Sequence, residues 1–393
     1  MRKVVEGSAA VSEAVKLCRV QVISAYPITP QTHIVQNLSQ MVANGELKAE
    51  YIRVESEHSA ASAALGASAV GARAYTASSS QGILLMAEVL FNIAGLRLPV
   101  VMTCANRAVS APINIWNDQQ DSYSVRDAGW IQLHAEDNQE AVDLHLQAYR
   151  IAEHTRVELP VMVCMDGFVL THSYEPVDLP DQATVDEFLP AWKATRILDP
   201  KNPKTFGMYS EEGYSETRYA IEKAMLNAKD VIEGVSAEFE HSFGRHSGGL
   251  LRGYRMDDAE IVLMATGSII GLLKSVADDM RAKGKKVGVL KLVSFRPFPG
   301  EELAKALKGI KKVAVFEKAV SLGAPAILAS ELRSALYAAK NRPEISSFVV
   351  GLGGKDISEQ TIHRAVEMAS AGYVAQHYME LDEEFLRDLA AAR

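Results

Sequence analysis

Between residues 20 and 165, short apolar runs alternate with longer stretches in which apolar positions recur at helical spacing. The runs at 20–25, 51–54, 72–77, 98–104 and 159–165 are short, mostly apolar, and bounded by polar or turn-forming residues, which predicts strands, that at 20–25 buried. The stretches at 30–43, 59–70 and 82–94 carry the three-to-four-residue repeat of helices packed on one face or all round. Strands separated by helices in this rhythm predict an α/β fold with a mostly parallel sheet covered on both faces.

The texture changes at 171–203. Pro176, Pro180, Pro190, Pro200 and Pro203 break any sustained apolar run, which predicts an irregular crossing segment. An amphipathic helix is expected over 215–233, ahead of the glycine-rich stretch Phe243-Gly244-Arg245-His246-Ser247-Gly248-Gly249. A second βα series opens at 259–268 and continues with a helix to about residue 282. It then predicts strand 287–293, helix 300–307, strand 313–317 and helix 325–339. The boundary falls near 254–258 and gives two domains, 1–255 and a smaller 256–393.

Composition limits the classes of function. Of 393 residues, 48% are hydrophobic and 23% charged, enough apolar surface for well-formed cores. The net charge of −8 speaks against a general nucleic-acid binder or an anionic-membrane binder, since both need a basic face. No stretch approaches the roughly 18 apolar residues of a membrane span, and the first residues lack the apolar core of a signal peptide. Cys18, Cys104 and Cys164 are far apart with no Cys-x-x-Cys, so this chain alone is not expected to hold an iron–sulfur cluster or a cysteine zinc site. Scattered thiols of odd number also fit a reducing compartment, and the expected location is cytoplasmic.

Three loops that follow apparent strands, at 26–30, 55–59 and 106–110, carry the candidate chemistry, and a serine run after a fourth strand adds hydroxyls. In Tyr26-Pro27-Ile28-Thr29-Pro30, two prolines hold the backbone open and present one hydroxyl, Thr29. Glu55-Ser56-Glu57-His58-Ser59 offers a carboxylate at the start of a small-residue helix. Ser78-Ser79-Ser80-Gln81-Gly82 supplies more hydroxyls than a helix cap needs. Asn106-Arg107-Ala108 adds an amide and a guanidinium. In an open parallel sheet such loops lie at one edge, where ligands bind. Each also has a plain structural reading: Glu57 complements a helix dipole, and Arg107 is a solvated surface charge.

Taken in order, these motifs resemble the thiamine-diphosphate-dependent 2-oxoacid:ferredoxin oxidoreductases, in the branch of the pyruvate:ferredoxin oxidoreductase (pyruvate synthase) α subunits. The resemblance continues through Ile115-Trp116-Asn117-Asp118-Gln119-Gln120-Asp121-Ser122, Phe243-Gly244-Arg245, Ala265-Thr266-Gly267-Ser268 and Arg296-Pro297-Phe298-Pro299, and so covers nearly the whole chain. It implies a thiamine-diphosphate-binding domain of the pyrimidine type followed by a smaller transketolase C-terminal-like α/β domain. The chain has no Gly-Asp-Gly, the nearest match being Met165-Asp166-Gly167. The diphosphate and Mg²⁺ are therefore expected on a partner β subunit. The [4Fe–4S] clusters are expected on a ferredoxin-like subunit, beside a γ subunit.

By the same resemblance, Glu57 hydrogen-bonds the pyrimidine ring of the cofactor, with Pro27, Ile28 and Ser80 around it. Thr29, Arg107 and Asn106 hold the 2-oxoacid, the guanidinium fork taking its carboxylate. The reaction implied is CoA-dependent, reversible oxidative decarboxylation of pyruvate with reduction of ferredoxin. One arginine and a neutral threonine suit a monocarboxylate, unless Arg126 turns inward. The alternatives are the same chemistry on 2-oxoisovalerate or 2-oxoglutarate, or a non-catalytic assembly subunit.

Overall fold

A computed structural model describes residues 2–203, 207 and 211–391. In chain order the first part comprises β1 (Arg2–Glu6), α1 (Gly7–Leu17), β2 (Val22–Ser24), α2 (Thr32–Ala43), β3 (Glu50–Ile52), α3 (Glu57–Ala69) and β4 (Ala74–Ser78). Then come α4 (Ser80–Leu85), α5 (Ala87–Gly95), β5 (Val101–Asn106), α6 (Gln120–Ser124), β6 (Ile131–His134), α7 (Asn138–Ala152) and β7 (Val161–Asp166). β8 (Tyr174–Asp178), α8 (Gln182–Phe188) and α9 (Glu211–Phe243) complete it. The second part comprises β9 (Leu251–Tyr254), β10 (Ile261–Ala265), α10 (Ile269–Ala282), β11 (Val287–Leu292), β12 (Ser294–Arg296), α11 (Gly300–Ala306) and β13 (Lys312–Glu317). It closes with α12 (Ile327–Ala335), β14 (Glu344–Val349), α13 (Glu359–Ala371), β15 (His377–Tyr378) and α14 (Glu383–Ala391).

The chain forms two compact units, Met1–Leu251 with Leu292–Pro299, and Arg252–Lys291 with Gly300–Arg393. The first is built on a seven-stranded sheet of order β12-β6-β7-β5-β4-β2-β3. Every pairing in it is parallel except that of β12 with β6. The second unit holds the six-stranded sheet β15-β14-β13-β10-β11-β9, parallel from β15 to β11. The α/β class with mostly parallel sheets, expected from the strand–helix rhythm, is the one observed.

The central strands β5 and β7 are buried along their whole length, as their continuous apolar runs require. In the first unit a cluster around Ile23, Ile34, Leu38, Tyr75, Val101, Tyr149 and Val163 fills one side of the sheet. A second cluster around Ile83, Leu90, Ile93, Met102, Trp130 and Cys164 fills the other. Arg73 and Glu153 form an ion pair at 2.6 Å with both side chains buried, and Arg73 also donates to Cys18 O and Pro190 O, which satisfies the charge away from water.

Several elements differ from the pattern-based expectation. The helix expected over 82–94 is two helices, broken at Met86, whose backbone leaves helical geometry. The crossing segment at 171–203 contains β8, which pairs antiparallel with β1, and α8, capped by Asp181 accepting from Thr184 N–H. β6 and α7 are additional elements. α7 is buried nearly all round although Asn138, Asp143, His145 and Gln147 interrupt its apolar positions, so its amphipathic signal is weak.

Candidate functional site

Strands β2, β4, β5 and β7 lie side by side and run parallel, so the loops after them emerge at one sheet edge. From β2 the chain passes to β3 on one side; from β4 it passes to β5 on the other. The crevice between the ends of β2 and β4 is thus a topological switch point, the place where open α/β sheets bind ligands. The three loops and the serine run singled out in the sequence all converge at this edge.

The Tyr26–Pro30 loop is fastened by Gln31, a buried side chain whose Nε2 donates to Tyr26 O at 3.0 Å and Ala77 O at 2.8 Å. Thr29 and Pro27 are exposed, Ile28 is half-buried and Pro30 is buried. The loop after β7 passes close beneath: a Cβ on Gly167 would lie 2.5 Å from Asn106 O and 2.6 Å from Pro30 Cγ. Only glycine leaves room for that crossing.

Glu57 opens α3, whose N-cap Ser56 accepts a hydrogen bond from Ser59 N–H at 3.2 Å. The residue is buried and its carboxyl turns toward α4, where a Cβ on Gly82 would lie 2.7 Å from Glu57 Oε1 and would also run into Ser78 Oγ. Among the described residues, nothing hydrogen-bonds or ion-pairs with the Glu57 carboxyl. The hydroxyls of Ser78 and Thr76 are likewise buried without a partner. Buried polar groups are normally satisfied, and leaving them bare costs free energy. A bare carboxyl beside bare hydroxyls at a switch point is what a site for a polar ligand looks like.

Arg107 is buried and reaches across from β5. Its Nε donates to Asn114 O at 2.8 Å and its Nη1 to Thr29 O at 3.0 Å, which leaves Nη2 without a hydrogen-bond partner among the described residues. Burial pushes the pKa of this guanidinium down, and the charge of Asp121 pushes it back up. Arg126 does not join it. Its Nη1 donates to Tyr123 O at 2.8 Å and its Nε lies 3.9 Å from Asp127 Oδ2.

Asp121 organises these loops, and no role for it was read from the sequence. Its fully buried carboxylate accepts from Ser80 N–H at 2.9 Å, Arg107 N–H at 2.9 Å, Asn106 Nδ2 at 2.8 Å and Ser122 N–H at 2.8 Å. Burial pushes its pKa up to about 7, against the opposing pull of those N–H donors. Ser80 and Asn106 belong to this framework. The Ser80 hydroxyl donates to Ala108 O, and its backbone sits at φ 49°, a conformation rare outside glycine. Asn106 Nδ2 is shared between Asp121 and Ser122, while Asn106 Oδ1 is buried without a partner. The available signal was an acid inside the polar run Asn117–Ser122.

Comparison with known proteins settles the family. Residues 13–237 match the thiamine diphosphate-binding domain of pyruvate flavodoxin/ferredoxin oxidoreductase. The chain belongs to that family. Residues 259–362 match core domain II of pyruvate:ferredoxin oxidoreductase. Among curated relatives, pyruvate synthase subunit PorA of Methanosarcina barkeri is 54% identical over 98% of this chain and 97% of its own. Ketoisovalerate oxidoreductase subunit VorA of Pyrococcus horikoshii is 44% identical, with 93% of each chain covered. Among solved structures, 2-oxoglutarate:ferredoxin oxidoreductase of Magnetococcus marinus superposes with a TM-score of 0.72 at 19% identity, over 94% of this chain and 65% of that one, a likeness of fold.

Three substitutions probe this region. Gly82→Ala drives a methyl into Glu57 and is expected to cost about 1–3 kcal/mol of stability. Gly66→Ala, in the interior of α3 with nothing within 4 Å of the new methyl, should gain about 0.5–1 kcal/mol. Urea midpoints of the two variants would distinguish a clearance constraint from a general intolerance of the region. Asp121→Ala strands several buried N–H donors at about 1–3 kcal/mol each. An expected loss of about 3 kcal/mol or more is readable by the same unfolding curves.

Proposed function

We propose that this chain is the α subunit of a CoA-dependent pyruvate:ferredoxin oxidoreductase, with an active site completed by a partner β subunit. The reaction takes pyruvate and CoA to acetyl-CoA and CO₂ and passes two electrons to ferredoxin, reversibly. The observation that carries the reading is the buried, unpartnered Glu57 carboxyl at the switch point, with Gly82 held free of a side chain beside it. These residues fit the aminopyrimidine end of thiamine diphosphate: a carboxyl for the ring nitrogen, and the apolar Pro27 and Ile28 for the ring. When bound, the cofactor supplies the carbanion chemistry that cleaves the 2-oxoacid.

Glu57 is the carboxyl that hydrogen-bonds the pyrimidine nitrogen, and the cleared space beside Gly82 lets the ring approach it. Arg107 offers Nη2 to the substrate carboxylate while its other nitrogens brace it against Thr29 O and Asn114 O. The exposed Thr29 hydroxyl is a donor for the keto oxygen of the 2-oxoacid; Asn106 borders the substrate through the loop it braces, its Nδ2 donating to Asp121 and Ser122. Ser80 acts through the backbone it anchors. With Arg126 turned to Tyr123 O and Asp127, Arg107 is the cation that the described residues bring to this edge, which favours a monocarboxylate. The same single cation accepts 2-oxoisovalerate, and the 44% identity to a ketoisovalerate oxidoreductase subunit makes that acid the second reading.

The remaining chemistry falls to partners. The three cysteines are all buried, and the chain lacks Gly-Asp-Gly, so Mg²⁺ with the diphosphate belongs to the β subunit. The [4Fe–4S] clusters belong to a ferredoxin-like subunit, beside a γ subunit. Leu84, Leu85, Ile113, Ile115 and Trp116 are exposed in α4 and in the loop after β5, apolar surface that suits β-subunit docking. The first unit is the pyrimidine-type domain and the second the transketolase C-terminal-like one. No helix among the described residues is long and apolar enough to cross a membrane, and we assign the complex to the cytoplasm.

In the purified native complex, Glu57→Gln is expected to cut viologen reduction with pyruvate and CoA at least ~10²-fold, the usual scale for a lost acid–base group; full activity would sink its assignment. Arg107→Ala is expected to raise KM for pyruvate with the complex still assembled. An unchanged KM would instead identify a scaffold subunit. Running the wild-type assay with 2-oxoisovalerate and 2-oxoglutarate separates the substrates.

A further inference from the structure

The start of α1 and the loop after β7 are laced together by backbone. Gly7 N–H donates to Ser173 O at 3.0 Å, while Ser8 N–H and Ser8 Oγ donate to Thr171 O at 2.9 and 2.8 Å. This lacing brings Glu6 and His172 to one place, and His33, in the first turn of α2, closes the group. One donor atom from each of the three residues lies within 4.8 Å of the other two. His33 Nδ1 is 2.7 Å from Glu6 Oε1, and the two imidazole rings have centroids 4.7 Å apart.

The surroundings orient His172 rather than merely bury it. Its Nδ1 lies 2.7 Å from Thr171 Oγ1, which also accepts Phe168 N–H at 2.8 Å. With Nδ1–H donating to that oxygen, Nε2 is the nitrogen that keeps a lone pair, the tautomer in which an outer hydrogen bond fixes a ligating histidine. The Phe168 ring packs on His172 at 4.6 Å and is itself packed by Trp116 at 4.6 Å.

We propose that Glu6, His33 and His172 form a binding site for a divalent transition metal of the zinc class. Two imidazoles and a carboxylate are a borderline donor set, matched to Zn²⁺, Co²⁺ or Ni²⁺ rather than to Mg²⁺. Metal–ligand bonds of about 2.0–2.2 Å at tetrahedral angles put donor atoms about 3.3 Å apart. The present separations, from 2.7 Å to no more than 4.8 Å, bracket that value, so side-chain rotation suffices. Nearly half of the His33 side chain is exposed, which leaves a path for entry and room for a water as fourth ligand. The metal would clip three segments together at the start of α2, next to the Tyr26–Pro30 loop. The site does not rest on the function proposed for that loop.

The test uses the full chain, stripped with a chelator and titrated with Co²⁺ and then Zn²⁺. One equivalent of Co²⁺ is expected, with d–d bands of nitrogen and oxygen ligation, no thiolate charge-transfer band, and loss of the bands on adding Zn²⁺. His33→Gln and His172→Ala should each weaken binding at least ~10-fold, since even outer-shell losses cost that much. Zn²⁺ should raise the wild-type melting temperature and leave those of the variants unmoved. Absence of stoichiometric binding, equal affinity in wild type and variants, or a thiolate band would each overturn the site and leave Glu6 and His33 as a plain hydrogen-bonded pair.

Discussion

The site depends on one buried carboxylate that touches no surface. Asp121 accepts from the backbone of Ser80 at the mouth of α4, the backbone of Arg107 beyond β5, the side chain of Asn106 and the backbone of Ser122. Parallel strands deliver loops to a common edge but do not fix how those loops stand relative to each other. A charged acceptor shared among several N–H donors does, because each donor it holds would otherwise be a buried orphan. Ser80 keeps its left-handed backbone because Asp121 holds its N–H and Ala108 O holds its hydroxyl.

That framework separates groups already committed from groups still on offer. Gln31 spends its amide nitrogen on Tyr26 O and Ala77 O, and Arg107 spends two of its nitrogens on carbonyls. The Glu57 carboxyl, Arg107 Nη2 and Asn106 Oδ1 remain. Two glycines maintain the spaces: Gly82 beside Glu57, and Gly167 beneath Pro30. Neither is explained by helix or turn propensity. Both are explained by what a methyl group would strike.

Strand runs such as 98–104 and 159–165 were legible because buried parallel strands have no polar face to disguise them. α7 was not, since its buried Asp143, His145 and Gln147 find partners only in the folded chain, as in the pairing of Asp143 with Arg245 at 2.6 Å. The break at Met86 was hidden for a related reason: α4 and α5 are both apolar, so periodicity ran through it. In the site, the residue types of Glu57, Arg107 and Thr29 carried a signal through their loops. Asp121 carried almost none, because its importance lies in donors supplied by residues up to 41 positions away.

The unsatisfied atoms carry the argument one step further. Thr76 Oγ1, Ser78 Oγ, Gln81 Nε2 and Asn106 Oδ1 are all buried without partners, and all lie at or near the carboxyl ends of β4 and β5. A stable domain avoids such atoms, and a sequence tends to break local rules where function asks it to. Here the strain of Ser80 and the bare Glu57 carboxyl fall on the same few residues of chain. Stability supplied elsewhere, by the apolar clusters on both sides of the sheet, is what lets this edge carry unsatisfied atoms.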